Sequence, residues 1–209
     1  MLPVFELSIL NILLVIFCSY LIGSIPSGII IAKIMGLGNL RSIGSGNIGA
    51  TNVLRTGNKL AAILTLFFDL LKGAIVVLFA RFIFDETAAQ IAGLGSFLGH
   101  CFPIWLKFKG GKGVATALGL LFGVNPLAAG ICLCIFLIVF FSFRFVSLGA
   151  ITAALAFPFI SYFVLNEDAR IMIIFTIVLS ALVIIAHRNN FARLINGNEN
   201  KIDIRKKKI

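Results

Sequence analysis

Three polar phrases interrupt an otherwise apolar chain, and their residue types suit the holding of a phosphate. The first, "GSGNIGATNVLR" (residues 44–55), carries glycines that permit positive φ. Successive backbone N–H groups in such a stretch can form an anion-binding concavity. Ser45, Asn47, Thr51 and Asn52 add neutral donors around Gly49, and Arg55 adds a guanidinium fork matched to phosphate oxygens. The second, "GHCFPIWLKFKGGKGVAT" (residues 99–116), runs from a glycine-rich loop, Gly110, Gly111, Lys112 and Gly113, straight into an apolar helix. A helix N-terminus with free amides attracts phosphate, and Lys112 stands at that point. It is not a Walker A loop, because the position five before Gly111 is Leu106. The third, "HRNNFARLINGNE" (residues 187–199), puts His187 at the end of an apolar helix with Asn190 three positions on, a spacing that shares a helix face. A histidine beside phosphate-suited loops can titrate or polarise a hydroxyl near neutral pH. Each phrase also has a plainer reading: a solvated loop, membrane-edge charges at Lys107 and Lys109, and an interfacial or helix-capping His187.

Other polar residues lie inside the greasy runs. Asp69 and Lys72 are spaced i, i+3, either a functional pair or a structural ion pair. His100 is a candidate ligand contact or interhelical hydrogen bond. Cys18, Cys101, Cys132 and Cys134 all have apolar neighbours. Cys132 and Cys134 point about 200° apart on a helix, so they cannot clamp one metal. Neither a disulfide nor a metal site is expected.

The elements that must position these phrases are membrane helices. Hydrophobic residues make up 60% of the chain, charged residues 12%, and there are 21 phenylalanines; the mean hydropathy is +1.09. Apolar runs long enough to cross a core of roughly 30 Å recur along it. Backbone groups in lipid must pair within their own segment, so an all-α polytopic protein is expected. The runs are Leu7 to about Ile34, bent near Pro26, then Leu60 to about Phe84 and Ala88 to Trp105. After a long stretch from Gly113 to Phe143 come Ser147–Leu165 and Ile171–His187. The long stretch holds "GVNP"; Asn125-Pro126 is a turn signal that divides it into helices at about 113–123 and 126–143. That makes seven spans.

Basic residues orient them. The net charge of +10 would suggest nucleic acid in a soluble protein, but here it reads as topology. With the N-terminus outside, the inner side gathers Lys33, Arg41, Arg55, Lys59, Lys107, Lys109, Lys112, Arg144, Arg188, Arg193 and the tail "KIDIRKKK". The outer side keeps Arg81 and Arg170 beside Glu6, Asp85, Glu86, Glu167 and Asp168. Without the break at Pro126 the basic tail would fall outside. Glu6, in place of a basic start, argues against a cleaved signal. No repeat or soluble domain is evident. The expected layout is one integral-membrane domain over residues 1–209 with a basic cytoplasmic tail at 200–209. All three polar phrases then face the cytoplasm, a combination suited to a phosphorylated, lipid-like molecule.

The three phrases, with "DLLKG" between them, resemble the cytoplasmic motifs of the bacterial membrane acyl-phosphate:glycerol-3-phosphate acyltransferases, the PlsY family, from Gly23 to Glu199. The resemblance implies a seven-helix transmembrane bundle that moves a fatty acyl group from acyl phosphate to the 1-hydroxyl of glycerol 3-phosphate. The products would be 1-acyl-glycerol 3-phosphate (lysophosphatidate) and phosphate, the first step of phospholipid synthesis. It implies His187, Asn190 and Ser45 as the catalytic set. It implies Asn47, Gly49, Thr51, Asn52, Arg55, His100, Gly110, Gly111, Lys112, Gly113 and Arg193 as substrate contacts, and Glu199 as structural. Some members have a second serine in the segment that reads "RFVSLGAIT" here, where this chain has Gly149-Ala150; Ser147 remains. The expected partners are acyl phosphate, glycerol 3-phosphate, membrane lipids and the soluble enzyme that makes acyl phosphate; no cofactor, metal or nucleic acid is implied. Either His187 or a substrate phosphate takes the hydroxyl proton, with substrate-assisted deprotonation preferred. The H-x4-D pattern of acyl-CoA-type enzymes is missing, since Trp105 and Ala192 stand five places after His100 and His187. A transporter of an organic phosphate is the rival reading, suggested by broken helices and the buried Asp69–Lys72 pair. A CDP-alcohol phosphotransferase lacks support, because its paired aspartates are missing.

Overall fold

The computed structural model describes residues 7–164 and 169–202, helical throughout with no strand among them. Glu6, Glu167, Asp168 and the tail from Asp203 to Ile209 lie outside the described residues. The chain divides into two compact units, Met1–Pro126 and Leu127–Ile209.

In the first unit α1 (Ile9–Gly23) starts at Ser8, whose hydroxyl accepts the Asn11 amide. A break at Ser24–Pro26 separates it from α2 (Ser27–Ile34), as Pro26 predicts, and the two make one apolar run of span length. A five-residue helix, α3 (Ala50–Leu54), sits inside the first glycine phrase, where the glycine-rich composition suggests a loop. Asn58 caps α4 (Lys59–Ile83) by accepting the Ala61 amide at 3.0 Å, and Asp85 caps α5 (Glu86–Cys101) through the Ala88 amide at 2.7 Å. α5 stops four residues before the expected end at Trp105. Pro103 has no amide to donate and drives Phe102 out of helical geometry, to φ −129° and ψ 59°. α6 (Val114–Val124) then ends at Asn125, whose extended backbone realises the predicted turn.

The second unit holds α7 (Pro126–Phe143), α8 (Val146–Val164), α9 (Ala169–Ala186) and α10 (Arg188–Ile195). Along α7 Cys132 is buried and Cys134 exposed, as their angular offset requires. Between α9 and α10 the axis turns by 61°. His187 lies in that turn with φ −99°, so it does not share a regular helix face with Asn190 as the spacing implied.

Among the described residues four helical runs are long and apolar enough to cross a membrane, or five with the bent α9–α10 pair. α5 and α6 have 16 and 11 residues, about 24 and 16 Å at 1.5 Å per residue, short of a roughly 30 Å core. The expected count of seven depends on them.

Lipid tails give helices little hydrophobic reason to associate, so close packing of small residues must hold them together. In the first unit α1 packs on α5 and α4 on α6. A Cβ at Gly95 or Gly99 of α5 would overlap Ser19 Oγ or the Tyr20 carbonyl of α1, and one at Gly119 of α6 would overlap the Leu70 carbonyl of α4. Arg81, at the end of α4, closes the far end of α6 by donating to the Gly123 and Val124 carbonyls at 2.6 and 2.8 Å while paired with Glu86. Gly119→Val is expected to cost at least about 1–3 kcal/mol, since backbone must move to admit it. Gly130→Ala, in α7, meets nothing within 4 Å and should be neutral or gain about 0.5–1 kcal/mol. Thermal unfolding of the two purified variants measures the contrast.

Candidate active site

The first glycine phrase is organised from its middle. Asn52 is 1% exposed. Its Nδ2 donates to the Leu40 and Asn47 carbonyls at 2.9 and 2.7 Å, and its Oδ1 accepts the Ser45 amide at 3.0 Å. Both amide hydrogens are thereby used within the loop, so this expected substrate contact shapes the turn. Gly44 and Gly46 take positive φ, 54° and 67°, as the glycine-rich composition suggests. At Gly44 the missing side chain makes room for Arg55, whose Cδ would stand 2.6 Å from a Cβ. Gly49, with φ −79°, instead caps α3, and Asn47 Oδ1 accepts its amide at 3.2 Å. Ser45 is exposed, Thr51 half-buried. Arg55 is half-buried, and its Nη1 is a buried donor with no hydrogen-bond acceptor.

The second phrase hangs from the end of α5. The Gly110 amide donates to the Cys101 carbonyl and the Gly111 amide to the His100 carbonyl, both at 3.0 Å. Gly113, at φ 73°, caps α6 with its Cα face against the Phe97 ring, where a Cβ could not fit. Lys112 is half-buried just before the first turn of α6, whose leading amides have no intrahelical acceptor. His100 is buried beneath this loop. Its Nδ1 lies 3.6 Å from Asp69 Oδ1, and its Nε2 occupies the space a Gly111 side chain would need. Asp69 in turn pairs with Lys72 at 2.9 Å, and Lys72 donates to the Ile25 carbonyl at 3.0 Å. His100 therefore meets the loop from below, and Asp69 and Lys72 are matched to each other within the protein.

Arg41 joins the two phrases, a link the sequence did not reveal. Its guanidinium donates to the Gly46 carbonyl at 3.2 Å and also to the Lys109 carbonyl. Glycine-rich loops separated by more than sixty residues are thus brought together with Ser45, Arg55 and Lys112 in their walls.

The third phrase is ordered around Glu199 in the second unit. Its Oε1 accepts from Asn190 Nδ2 at 2.6 Å and Ser147 Oγ at 2.8 Å, while Oε2 pairs with Arg193 Nε at 2.7 Å. Asn190 is 3% exposed, and its Oδ1 is a buried acceptor without a hydrogen-bond donor. His187 is 1% exposed, with Nδ1 2.8 Å from the Val183 carbonyl. A carbonyl only accepts, so Nδ1 donates this hydrogen bond. Asn190, expected in the catalytic set, and Arg193, expected to touch substrate, both hold Glu199, and Ser147 does so too.

A family model for glycerol-3-phosphate acyltransferases matches residues 13–197. The chain is 50% identical over 203 residues to the glycerol-3-phosphate acyltransferase of Jannaschia sp. (strain CCS1), covering 97% of this chain and 98% of the relative. It is 51% identical over 192 residues to that of Mesorhizobium japonicum, covering 92% and 96%. A crystal structure of PlsY, an integral membrane glycerol 3-phosphate acyltransferase, in its glycerol 3-phosphate form superposes with a TM-score of 0.86 at 40% identity, over 92% of this chain and 96% of that one. The lysophosphatidic acid form gives 0.84 at the same identity.

Glu199 lends the site a pH dependence. Partial burial pushes its carboxyl up, but the hydrogen bonds from Asn190, Ser147 and Arg193 and the Arg193 charge outweigh this and hold it below its ordinary value. Its folded value is depressed, so its contribution is present above the unfolded carboxylate range and is lost as pH falls through the folded value. Glu199→Gln should cost about 1.5–3 kcal/mol at neutral pH and progressively less on acidification. Thermal unfolding of wild type and variant across that range reads the convergence.

Proposed function

The chain belongs to the glycerol-3-phosphate acyltransferase family, and on that premise we propose that it transfers a fatty acyl group from acyl phosphate to the 1-hydroxyl of glycerol 3-phosphate. The products are 1-acyl-glycerol 3-phosphate and inorganic phosphate. The observation that carries this is the pair of glycine loops strapped by Arg41, with the Arg55 Nη1 donor unmatched and Lys112 at the start of α6. Donors of this kind suit a phosphate.

Acyl phosphate is an activated anhydride, so no covalent enzyme intermediate is needed. The glycerol hydroxyl attacks the acyl carbon, the acyl–phosphate bond breaks, and phosphate leaves with the electron pair. Holding the two substrates in attack geometry supplies up to about 7–11 kcal/mol. Lys112 and the leading amides of α6 grip the phosphate of glycerol 3-phosphate, and Arg55 stabilises the departing phosphate. Ser45, Asn47 and Thr51 steer the acceptor. His187 positions the attacking hydroxyl, while a substrate phosphate takes its proton. Asn52 and His100 shape the loops; Asn190 and Arg193 act with Glu199.

The proposal extends to placement. The chain is a single functional domain of seven spans, with N-terminus outside, C-terminus inside and the three phrases at the cytoplasmic face of a bacterial inner membrane. The soluble enzyme that makes acyl phosphate is its supplier. The transporter reading loses its main support, because Asp69 and Lys72 satisfy each other.

Purified protein given glycerol 3-phosphate should form lysophosphatidate from acyl phosphate and none from acyl-CoA; efficient use of acyl-CoA would refute the donor assignment. Two variants separate grip from chemistry. Lys112→Ala should raise the KM for glycerol 3-phosphate by the loss of a charge-assisted contact of about 1.5–3 kcal/mol. His187→Ala should instead lower kcat, by about 10²-fold for the loss of a group that positions the attacking hydroxyl. Steady-state kinetics on folded, inserted protein distinguishes the two.

A further inference from the structure

The segment between α5 and the glycine loop combines two properties that conflict in water. Phe102, Ile104, Trp105 and Phe108 are 46, 47, 62 and 58% exposed. They are large and apolar, yet they belong to an irregular turn. The backbone of that turn is closed on itself. The Leu106 and Phe108 amides both donate to the Pro103 carbonyl, at 3.1 and 3.0 Å. The Lys107 amide donates to Ile104 and the Lys109 amide to Leu106, at 3.3 and 3.1 Å. The Phe102 amide returns to Leu98, and its carbonyl accepts the Tyr20 hydroxyl of α1 at 2.7 Å. To close these bonds Lys107 and Phe108 adopt positive φ, 51° and 60°, a conformation L side chains rarely take. A loop bathed in water needs no such economy, because water completes its hydrogen bonds. A loop that leaves water does, since each orphaned amide in an apolar medium is costly.

We propose that Phe102–Lys109 is a wedge seated in the bilayer interface, with Trp105 and Phe108 among the upper acyl chains and Lys107 and Lys109 on lipid phosphates. The indole ring is suited to headgroup depth. The two lysines, both exposed, complement an anionic surface. Tyr20 ties the turn to α1, whose neighbouring Phe17 and Ile22 are also exposed, so the wedge continues an apolar helix surface. The consequence for the site is depth. Gly110 follows the wedge directly, so the glycine loop is held at the level of lipid phosphates. That seat stands whether or not the loop's ligand is the one proposed above.

Trp105 is the single tryptophan of the chain, so its fluorescence reports the wedge alone. Protein reconstituted in vesicles of phosphatidylcholine and phosphatidylglycerol is compared with vesicles whose lipids are brominated near the top of the acyl chain. Emission should be blue-shifted, lose most of its intensity to the brominated lipid and resist aqueous acrylamide. Lys107→Gln/Lys109→Gln should weaken quenching by brominated phosphatidylglycerol while sparing that by brominated phosphatidylcholine. Red-shifted emission, open to acrylamide and indifferent to bromine, would overturn the proposal and leave the surface to a soluble partner. Turnover of acyl phosphate, assayed in the same vesicles, tests the acyltransferase reading separately.

Discussion

A polar atom withdrawn from water must be matched by another atom of the protein, and in a chain this apolar that demand falls on nearly every polar side chain. Asn52 answers it for the first glycine loop, with three hydrogen bonds to backbone. Glu199 answers it for the second unit, drawing Ser147, Asn190 and Arg193 to one carboxylate. Asp69 and Lys72 answer it for each other. Removing one member of such a set leaves its partners stranded, which costs more than the bond itself contributed. Some buried atoms lack a hydrogen-bond partner within the protein, among them the hydroxyls of Ser24, Ser161 and Ser180 as well as Arg55 Nη1 and Asn190 Oδ1. The last two belong to phrases whose chemistry suits a ligand.

The sequence exposed what is local. Glycine spacing announced the two loops, Asn125-Pro126 announced the break between α6 and α7, and Pro26 the break after α1. Such features arise from the φ limits and missing donors of single residues. The end of α5 is hidden in the sequence because hydropathy continues through Phe102–Trp105 while helical geometry does not. The bend at His187 was hidden for a related reason, since i, i+3 spacing assumes a helix that continues.

Long-range side-chain bonds left the weakest trace. Arg41 reaches Lys109 across sixty-eight positions, and nothing in the composition near either end specifies the pairing. Asn52 was legible as a polar residue in a phosphate-suited phrase, but its burial depends on Leu40 and Val53 packing beneath the loop. Helix crossings were similarly obscured. Gly95 and Gly99, or Gly119 and Gly123, form small-xxx-small pairs, but only the facing backbone shows which helix each one admits.

The suspension of Gly110 and Gly111 from the last carbonyls of α5 has a consequence for affinity. A free glycine-rich loop samples many conformations, and a ligand that orders it forfeits that entropy from its binding energy. Here the ordering is completed during folding, by two amide bonds above and the His100 ring below. The loop borrows its stiffness from a helix, so under the proposed function an arriving phosphate would meet a surface already close to its bound shape.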